Sequence, residues 1–336
     1  MRVRARKSFL ATQLGLTATL ILLAASGESF GQSTRSFQMG MWPGTCPGPQ
    51  CPAVGVDTDI VSFGDKDPQP SSGRSIVLTL DFNTPLSTRN YDWSRVVAVE
   101  VDEPYGPQDD PRIDSIIKYP DGSPACQGDP TPYIAPIDAL LAQRAAELRT
   151  LAPKARFWVN FTSDEANWMG TCGAPQEFNR SYIDVVSADW YYADVSVLRP
   201  FYSVVAANRP KPDQQLALIP GTFYRNGQDD PATQVTHFQT YFPFANSMNQ
   251  SCNLPLGPRG VTGSFDRCPV WIVFGWLSGD VQINGKGYVG ELDPNSGAIR
   301  SAWRNELSLP LAAGLGHQLT PAQIIVPIVN QLLLNN

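Results

Sequence analysis

The chain has 336 residues, of which 42% are hydrophobic and 17% charged, with a formal net charge of −6. The apolar fraction is ample for a packed core and excludes a wholly disordered chain, and the length suits one large domain or two ordinary ones. An acidic surface repels phosphate backbones, which excludes nucleic acid as a partner.

Residues 1–31 read as an export signal: Arg2, Arg4, Arg6 and Lys7 precede an apolar stretch from Phe9 to Ala25, followed by small residues. The expected mature chain, residues 32–336, carries 21 Lys plus Arg against 30 Asp plus Glu, a net charge of about −9. It contains no second segment apolar enough to span a bilayer, so no membrane association is expected after cleavage, and the expected location is secreted or periplasmic. All six cysteines fall in this part, and an even count in an exported chain suggests disulfides. Proximity favours Cys46–Cys51 and Cys252–Cys268, leaving Cys126–Cys172.

Eight β-type runs follow one another: Phe37–Trp42, Ile60–Phe63, Ser75–Phe82, Val96–Asp102, Arg156–Thr162, Tyr182–Ser187, Gln215–Ile219 and Val270–Trp276. Most are continuous apolar stretches, the pattern of parallel strands covered on both faces. Helical signals lie among them, at Ile134–Leu151, Asp194–Asn208, Asp230–Met248, Ser296–Leu307 and Pro321–Leu334. Strands alternating with helices predict an α/β fold, a single (β/α)8 barrel that is irregular in its first third. An open doubly wound sheet and a two-layer α+β domain are the alternatives. The irregularity lies between Phe63 and Ser75, where eleven residues rich in Pro, Gly and Ser are short for a helical crossover.

Active sites of such barrels gather where the strands end. Here the strand ends carry acids and aromatics: Asp81 after the third run, Glu100, Asp102, Glu103 and Tyr105 on or after the fourth, and Asp164, Glu165 and Trp168 after the fifth. Asp189, Trp190 and Tyr191 follow the sixth, Thr222 and Tyr224 the seventh, with Trp42 and Trp276 ending the first and eighth. Carboxyl pairs serve as acid, base or nucleophile toward sugars, and aromatic faces stack on pyranose rings. Along the fourth run Ala98, Glu100 and Asp102 share one face and Val97, Val99 and Val101 the other, so the valine face is expected to meet helices and the acidic face to point inward.

The stretch VVAVEVDEPY resembles the fourth-strand motif of clan A glycoside hydrolases, a strand ending in Asn-Glu-Pro whose Glu is the acid/base. The resemblance implies a barrel and that role for Glu103; Asp102 stands where the family has Asn. Trp276 is similar to a substrate-platform tryptophan of that clan. The family's nucleophile Glu after the seventh strand has no counterpart in LALIPGTFYRNG, so the second carboxylate is sought at Asp189 or Glu165. The expected catalytic set is therefore Glu103, Asp102, Glu165 and Asp189, with Trp42, Tyr105, Trp168, Trp190, Tyr191, Tyr224 and Trp276 against a carbohydrate.

Each residue also has a plainer reading. Asp164 suits a helix N-cap, Glu165 a first helical turn, Glu100 an ion pair with an Arg such as Arg156, and the aromatics ordinary packing. Only His237 and His317 occur, so a His-rich metal site is not expected. GxSxG, GxGxxG and P-loop patterns are missing, and no cofactor is expected. Asn160-Phe161-Thr162, Asn179-Arg180-Ser181 and Asn249-Gln250-Ser251 fit the glycosylation triplet. A non-catalytic exported carbohydrate-binding or structural barrel, and a hydrolase using carboxylates with a divalent ion, are the rival readings.

Overall fold

A computed structural model describes residues 35, 37–42, 60–71, 73–105, 131–162, 165, 180–189, 191, 194–199, 201–202, 205, 214–222, 224–225, 227–247, 252–253, 264–265, 270–275, 281–283, 286–289 and 297–310. The export signal, the terminal helix at Pro321–Leu334, five of the six cysteines, Asn179 and the Asn249 triplet lie outside these residues; of Cys252 only the backbone is described. Among the described residues no helix is long and apolar enough to cross a membrane.

Eight strands form one wholly parallel sheet. They are β1 (Phe37–Trp42), β2 (Ile60–Gly64), β3 (Arg74–Thr79), β4 (Val96–Asp102), β5 (Arg156–Thr162), β6 (Val185–Asp189), β7 (Gln215–Ile219) and β11 (Val270–Gly275), in the order β1-β11-β7-β6-β5-β4-β3-β2. The order follows the chain except that β1 stands beside β11, and the two edge strands β1 and β2 also approach one another. β8 (Tyr224–Arg225), β12 (Val281–Ile283) and β13 (Lys286–Val289) make a small antiparallel sheet, and β9 (Cys252–Asn253) pairs with β10 (Ser264–Phe265). Among the described residues three α-helices accompany them: α1 (Thr131–Leu151), α2 (Pro231–Ser247) and α3 (Gly297–Leu307). Pro231 opens α2, where its missing N–H costs nothing, and Asp230 caps it by accepting from Thr233 N–H (3.2 Å) and hydroxyl (2.8 Å).

Side chains alternate across the sheet, and the two faces bury different things. One face builds the main core: Val99, Val101, Phe157, Val159, Val186 and Leu216 meet Leu141 and Leu148 of α1, Phe238 and Phe242 of α2, and Trp303 of α3. The other face builds a smaller cluster from Ile60, Ile76, Ala98, Trp158, Val185, Ala217 and Ile219, all from strands.

Four expectations are refined. The short run before Phe63 is a full member of the sheet, with Ile60↔Arg74 to Gly64↔Leu78 in parallel register. No helix is needed in the short connection, because Tyr91 packs edge-on against Phe63 at 5.3 Å and its hydroxyl donates to Asp65 O at 3.0 Å. Val97 leaves the valine face: pairing with β3 steps from Ser75↔Val96 to Ile76↔Ala98, and Val97 packs instead against the smaller cluster. The sixth strand starts later than Tyr182. Ile183 N–H closes a turn onto Arg180 O, the Tyr182 hydroxyl donates to Asp138 of α1, and the strand runs Val185–Asp189, which carries Asp189 onto its last position. The expected helix at Asp194–Asn208 begins as a 3-10 turn, Val195–Val197, capped by Asp194.

Asp184 ties this region together just before β6. Its carboxylate accepts from Phe157 N–H at 2.8 Å and lies 3.3 Å from Arg149 and 3.8 Å from Arg156. Asp184→Ala leaves the buried Phe157 N–H without its acceptor and takes the carboxylate from beside Arg149 and Arg156. An expected loss of about 2–4 kcal/mol follows from the cost of such orphaned groups; a urea midpoint equal to that of the parent contradicts it.

Candidate active site

Register brings the acids together. Asp102 pairs with Asn160 across β4 and β5, Asn160 with Ser187 across β5 and β6, and Thr162 with Asp189. By alternation Asp102, Asn160, Ser187 and Asp189 share the face of the smaller cluster, above Ala98, Trp158 and Val185. One carboxylate oxygen from each of Asp102, Glu103 and Asp189 lies within 4.8 Å of the other two. Asn160 Nδ2 donates to Asp102 Oδ1 at 2.8 Å and to Asp189 Oδ2 at 3.3 Å. Behind it, the Ser187 hydroxyl donates to Asn160 Oδ1 at 2.6 Å and accepts from Trp158 Nε1 at 2.7 Å.

Glu103 sits where β4 ends, half-buried, with φ +48°, and among the described residues no other non-glycine has a positive φ. Left-handed backbone costs a side-chain-bearing residue about 1–2 kcal/mol, and the following proline restricts it further. The surroundings hold it there. Glu103 N–H donates to Asn160 O at 2.9 Å, and the Tyr105 ring two residues on stacks on Phe161 with ring centres 5.9 Å apart. Strain kept by the surrounding structure is a recurrent mark of functional positions.

Burial and like charge set the protonation of the site. Burial, then the Asp189 charge, pushes the Asp102 carboxyl up to about 7, against a weaker pull from Asn160. Burial pushes Asp189 up to about 6, with the Tyr191 hydroxyl and the Asn160 amide donating to the charged form and opposing the rise. The pair titrates jointly, and the proton falls preferentially to Asp102. Tyr191 stays protonated, held there by burial first and then by the charge of Asp189 and Asp102.

Tyr191 is fixed through its backbone. Gln234 of α2 donates its side-chain amide to both Tyr191 O and Gly221 O, the latter at 2.9 Å. A Cβ on Gly221 would stand 1.8 Å from Tyr191 O, so only glycine fits there.

The expected residues divide. Asp102, Glu103 and Asp189 converge, and Tyr191 joins them through its hydroxyl. Glu165 is fully buried and serves a capping box: Thr162 Oγ1 accepts from Glu165 N–H at 3.0 Å and Glu165 Oε2 from Thr162 N–H at 2.7 Å, so Thr162 takes the capping role expected of Asp164. Burial foremost, opposed by the bond from Thr162 N–H and helped by the Glu103 charge, raises its pKa well above the carboxylate range. Tyr105 and Tyr224 are 1% and 5% exposed, so neither offers a face to a sugar; the Tyr105 ring is spent on Phe161. Asp81 is turned to Thr84 and Arg89 instead of the site. Trp168, Trp190, Trp276 and Asp164 lie outside the described residues, and of Trp42 only the backbone in β1 is described. Asn160, fully buried and committed at both ends of its amide, is no glycan acceptor in the folded chain. Asn160, Ser187 and Trp158 are the site residues that motif reading misses; their one signal is a polar residue inside an apolar strand. Asp102, Glu103 and Asp189 are also the described residues whose spacing suits a divalent cation.

No family model matches the sequence, and no curated protein does. Among solved structures, an endo-1,4-β-D-xylanase from Clostridium thermocellum complexed with xylohexaose is 12% identical over 66% of this chain, at a TM-score of 0.38; the match covers 43% of that chain, under half its length. A thermostable mutant of a Cellvibrio japonicus xylanase is 13% identical over 69% of this chain and 78% of its own, at 0.38. A mutant of xylanase A from P. fluorescens subsp. cellulosa with xylopentaose is 12% identical over 70% and 78%, at 0.34.

The raised carboxyls have a consequence for stability. Between the ordinary carboxylate pKa of 3.8 and the folded values, the native protein binds more protons than the unfolded chain, so the contribution of this pair falls as pH rises and levels above about 7. Asp189→Asn removes the Asp189 share of that fall and lessens the Asp102 share, which burial still sustains. Its melting temperature relative to the parent is expected to climb between about pH 4 and pH 7, and a difference that stays constant with pH counts against the buried pair.

Proposed function

We propose that this chain is an exported glycoside hydrolase with a sheet closed into a (β/α)8 barrel, its site at the carboxyl ends of β4 and β6. Barrel closure is supported by the cyclic strand order, the approach of β1 to β2, and the purely strand-derived small cluster on the face away from the described helices. The observation that carries the function is the convergence of three carboxyl groups, from two strand ends, within 4.8 Å.

Glu103, at the rim, acts as general acid and then base. Asp189, steadied in its charged form by Tyr191 and Asn160, is the partner carboxylate. Asp102 keeps the shared proton and hydrogen-bonds to the sugar. Carboxyl groups this close leave little space for an intervening water, which favours retention, for which about 5–5.5 Å is usual, over inversion at about 6.5–9.5 Å. In the first step Asp189 attacks the anomeric carbon while Glu103 protonates the departing oxygen. In the second, Glu103 takes a proton from water, which displaces Asp189 and gives a product of unchanged configuration. A carbohydrate is thus the substrate, and no cofactor takes part.

The same three oxygens favour one other reading, a hydrolase that works through a divalent cation. Turnover of aryl glycosides and polysaccharides, xylan among them, separates the two. Hydrolysis that persists with a chelator and falls at least about 1,000-fold in Glu103→Gln and Asp189→Asn is expected, the scale of losing a general acid or a nucleophile. Undiminished turnover in Glu103→Gln removes it from the role. Activity lost to chelator and restored by Mg2+ or Ca2+ assigns the acids to a cation, and binding without turnover that survives Glu103→Gln assigns a non-catalytic carbohydrate-binding protein.

A further inference from the structure

Asp102 and Asp189 repel one another, yet both face the same point. Between them stands a side chain that neither the strand pattern nor the acid motif singles out. Asn160 is fully buried, and its amide nitrogen reaches both carboxyl groups. An amide has two ends, and a flipped Asn160 would turn its oxygen toward two acids and add to the repulsion. The acids already disfavour the flip, but a protonated Asp102 can donate to that oxygen, so they alone do not forbid it.

The chain behind Asn160 does. An indole nitrogen can only donate, so Trp158 Nε1 at 2.7 Å occupies an acceptor position of the Ser187 oxygen. A second lone pair remains, but among the described residues Trp158 and Asn160 are the partners of this hydroxyl, so its proton would be buried unpaired unless the atom 2.6 Å away on Asn160 accepts it. That fixes Asn160 Oδ1 toward Ser187 and Nδ2 toward the acids. Trp158, Ser187 and Asn160 are all fully buried, so water does not compete for these bonds. The three residues come from adjacent register positions of β5 and β6, which gives the chain a rigid base.

We propose that Asn160 is the positioning residue of the acid pair, with its amide orientation dictated by Trp158 through Ser187. One hydrogen goes to each carboxyl, which holds Asp102 and Asp189 turned toward a common substrate atom. In catalysis this rests on the glycosidase reading; the hydrogen-bond relay stands independently of it.

The test has two arms. In protein labelled with 15N at tryptophan, the Trp158 indole resonance is identified by its loss in Trp158→Phe. Asp102→Asn and Asp189→Asn are each expected to shift that resonance, and in a Ser187→Ala background neither does so further. In the kinetic arm Ser187→Ala, which opens the least space, and Asn160→Ala are expected to lower kcat about 100-fold, the scale of a misplaced reacting group, with KM within about twofold of the parent. A Trp158 resonance indifferent to both acid substitutions in folded protein overturns the proposal, as does full kcat in Ser187→Ala. A coupled resonance in a protein that turns over no glycoside overturns the glycosidase reading and leaves the positioning role intact.

Discussion

Two carboxylates a few ångströms apart in a partly dry setting repel by about 3–4 kcal/mol at an effective dielectric near 20. The arrangement at the ends of β4 and β6 exists in spite of that repulsion, and much of the surrounding structure answers it. A proton shared between Asp102 and Asp189 removes one charge. Donors from Asn160 and Tyr191 compensate the other. Glu165, close enough to feel the charges of Glu103 and Asp102, is kept neutral by burial and accepts from Thr162 N–H instead of adding a charge.

The parallel sheet supplies the rigidity this demands. Neighbouring strands fix Asp102, Asn160 and Asp189 by register, and the main core on the opposite face prevents the strands from sliding. Beyond the strand ends, rigidity comes from close contacts. Glu103 keeps a left-handed backbone because Asn160 O captures its N–H and Tyr105 is locked on Phe161. Tyr191 keeps its place because Gln234 grips its carbonyl and Gly221 leaves room for nothing larger. Part of the folding energy is thereby held in a conformation the chain alone would not choose, a cost typical of binding and catalytic sites.

How much of this can be read from residues alone depends on the range of the interaction. Strands such as β4, β5 and β7 are legible because burial on both faces writes an unbroken apolar run. The acids at their ends are legible because the strand end is itself visible. The start of β6 is not, since Tyr182 and Ile183 are as apolar as the strand but belong to a turn tied to Asp138 and Arg180. Tyr105 misleads for a related reason: a tyrosine after Glu-Pro looks like rim, while its ring direction is decided by Phe161, 56 positions away. The capping box Thr162-x-x-Glu165 is a local pattern and was open to reading from sequence. The relay through Trp158, Ser187 and Asn160 was not, because its bonds run across strands and no spacing along the chain announces them.

Asp102 and Asp189 share one buried space, and the chemistry of the site depends on it. A double-mutant cycle on folding stability at about pH 8, where both acids are largely ionised, measures this directly. Asp102→Asn and Asp189→Asn are each expected to stabilise the protein, and the double variant to gain clearly less than the sum, because either change alone already relieves their common repulsion. Strictly additive effects would mean that the two carboxyls do not feel one another, and would contradict the site described.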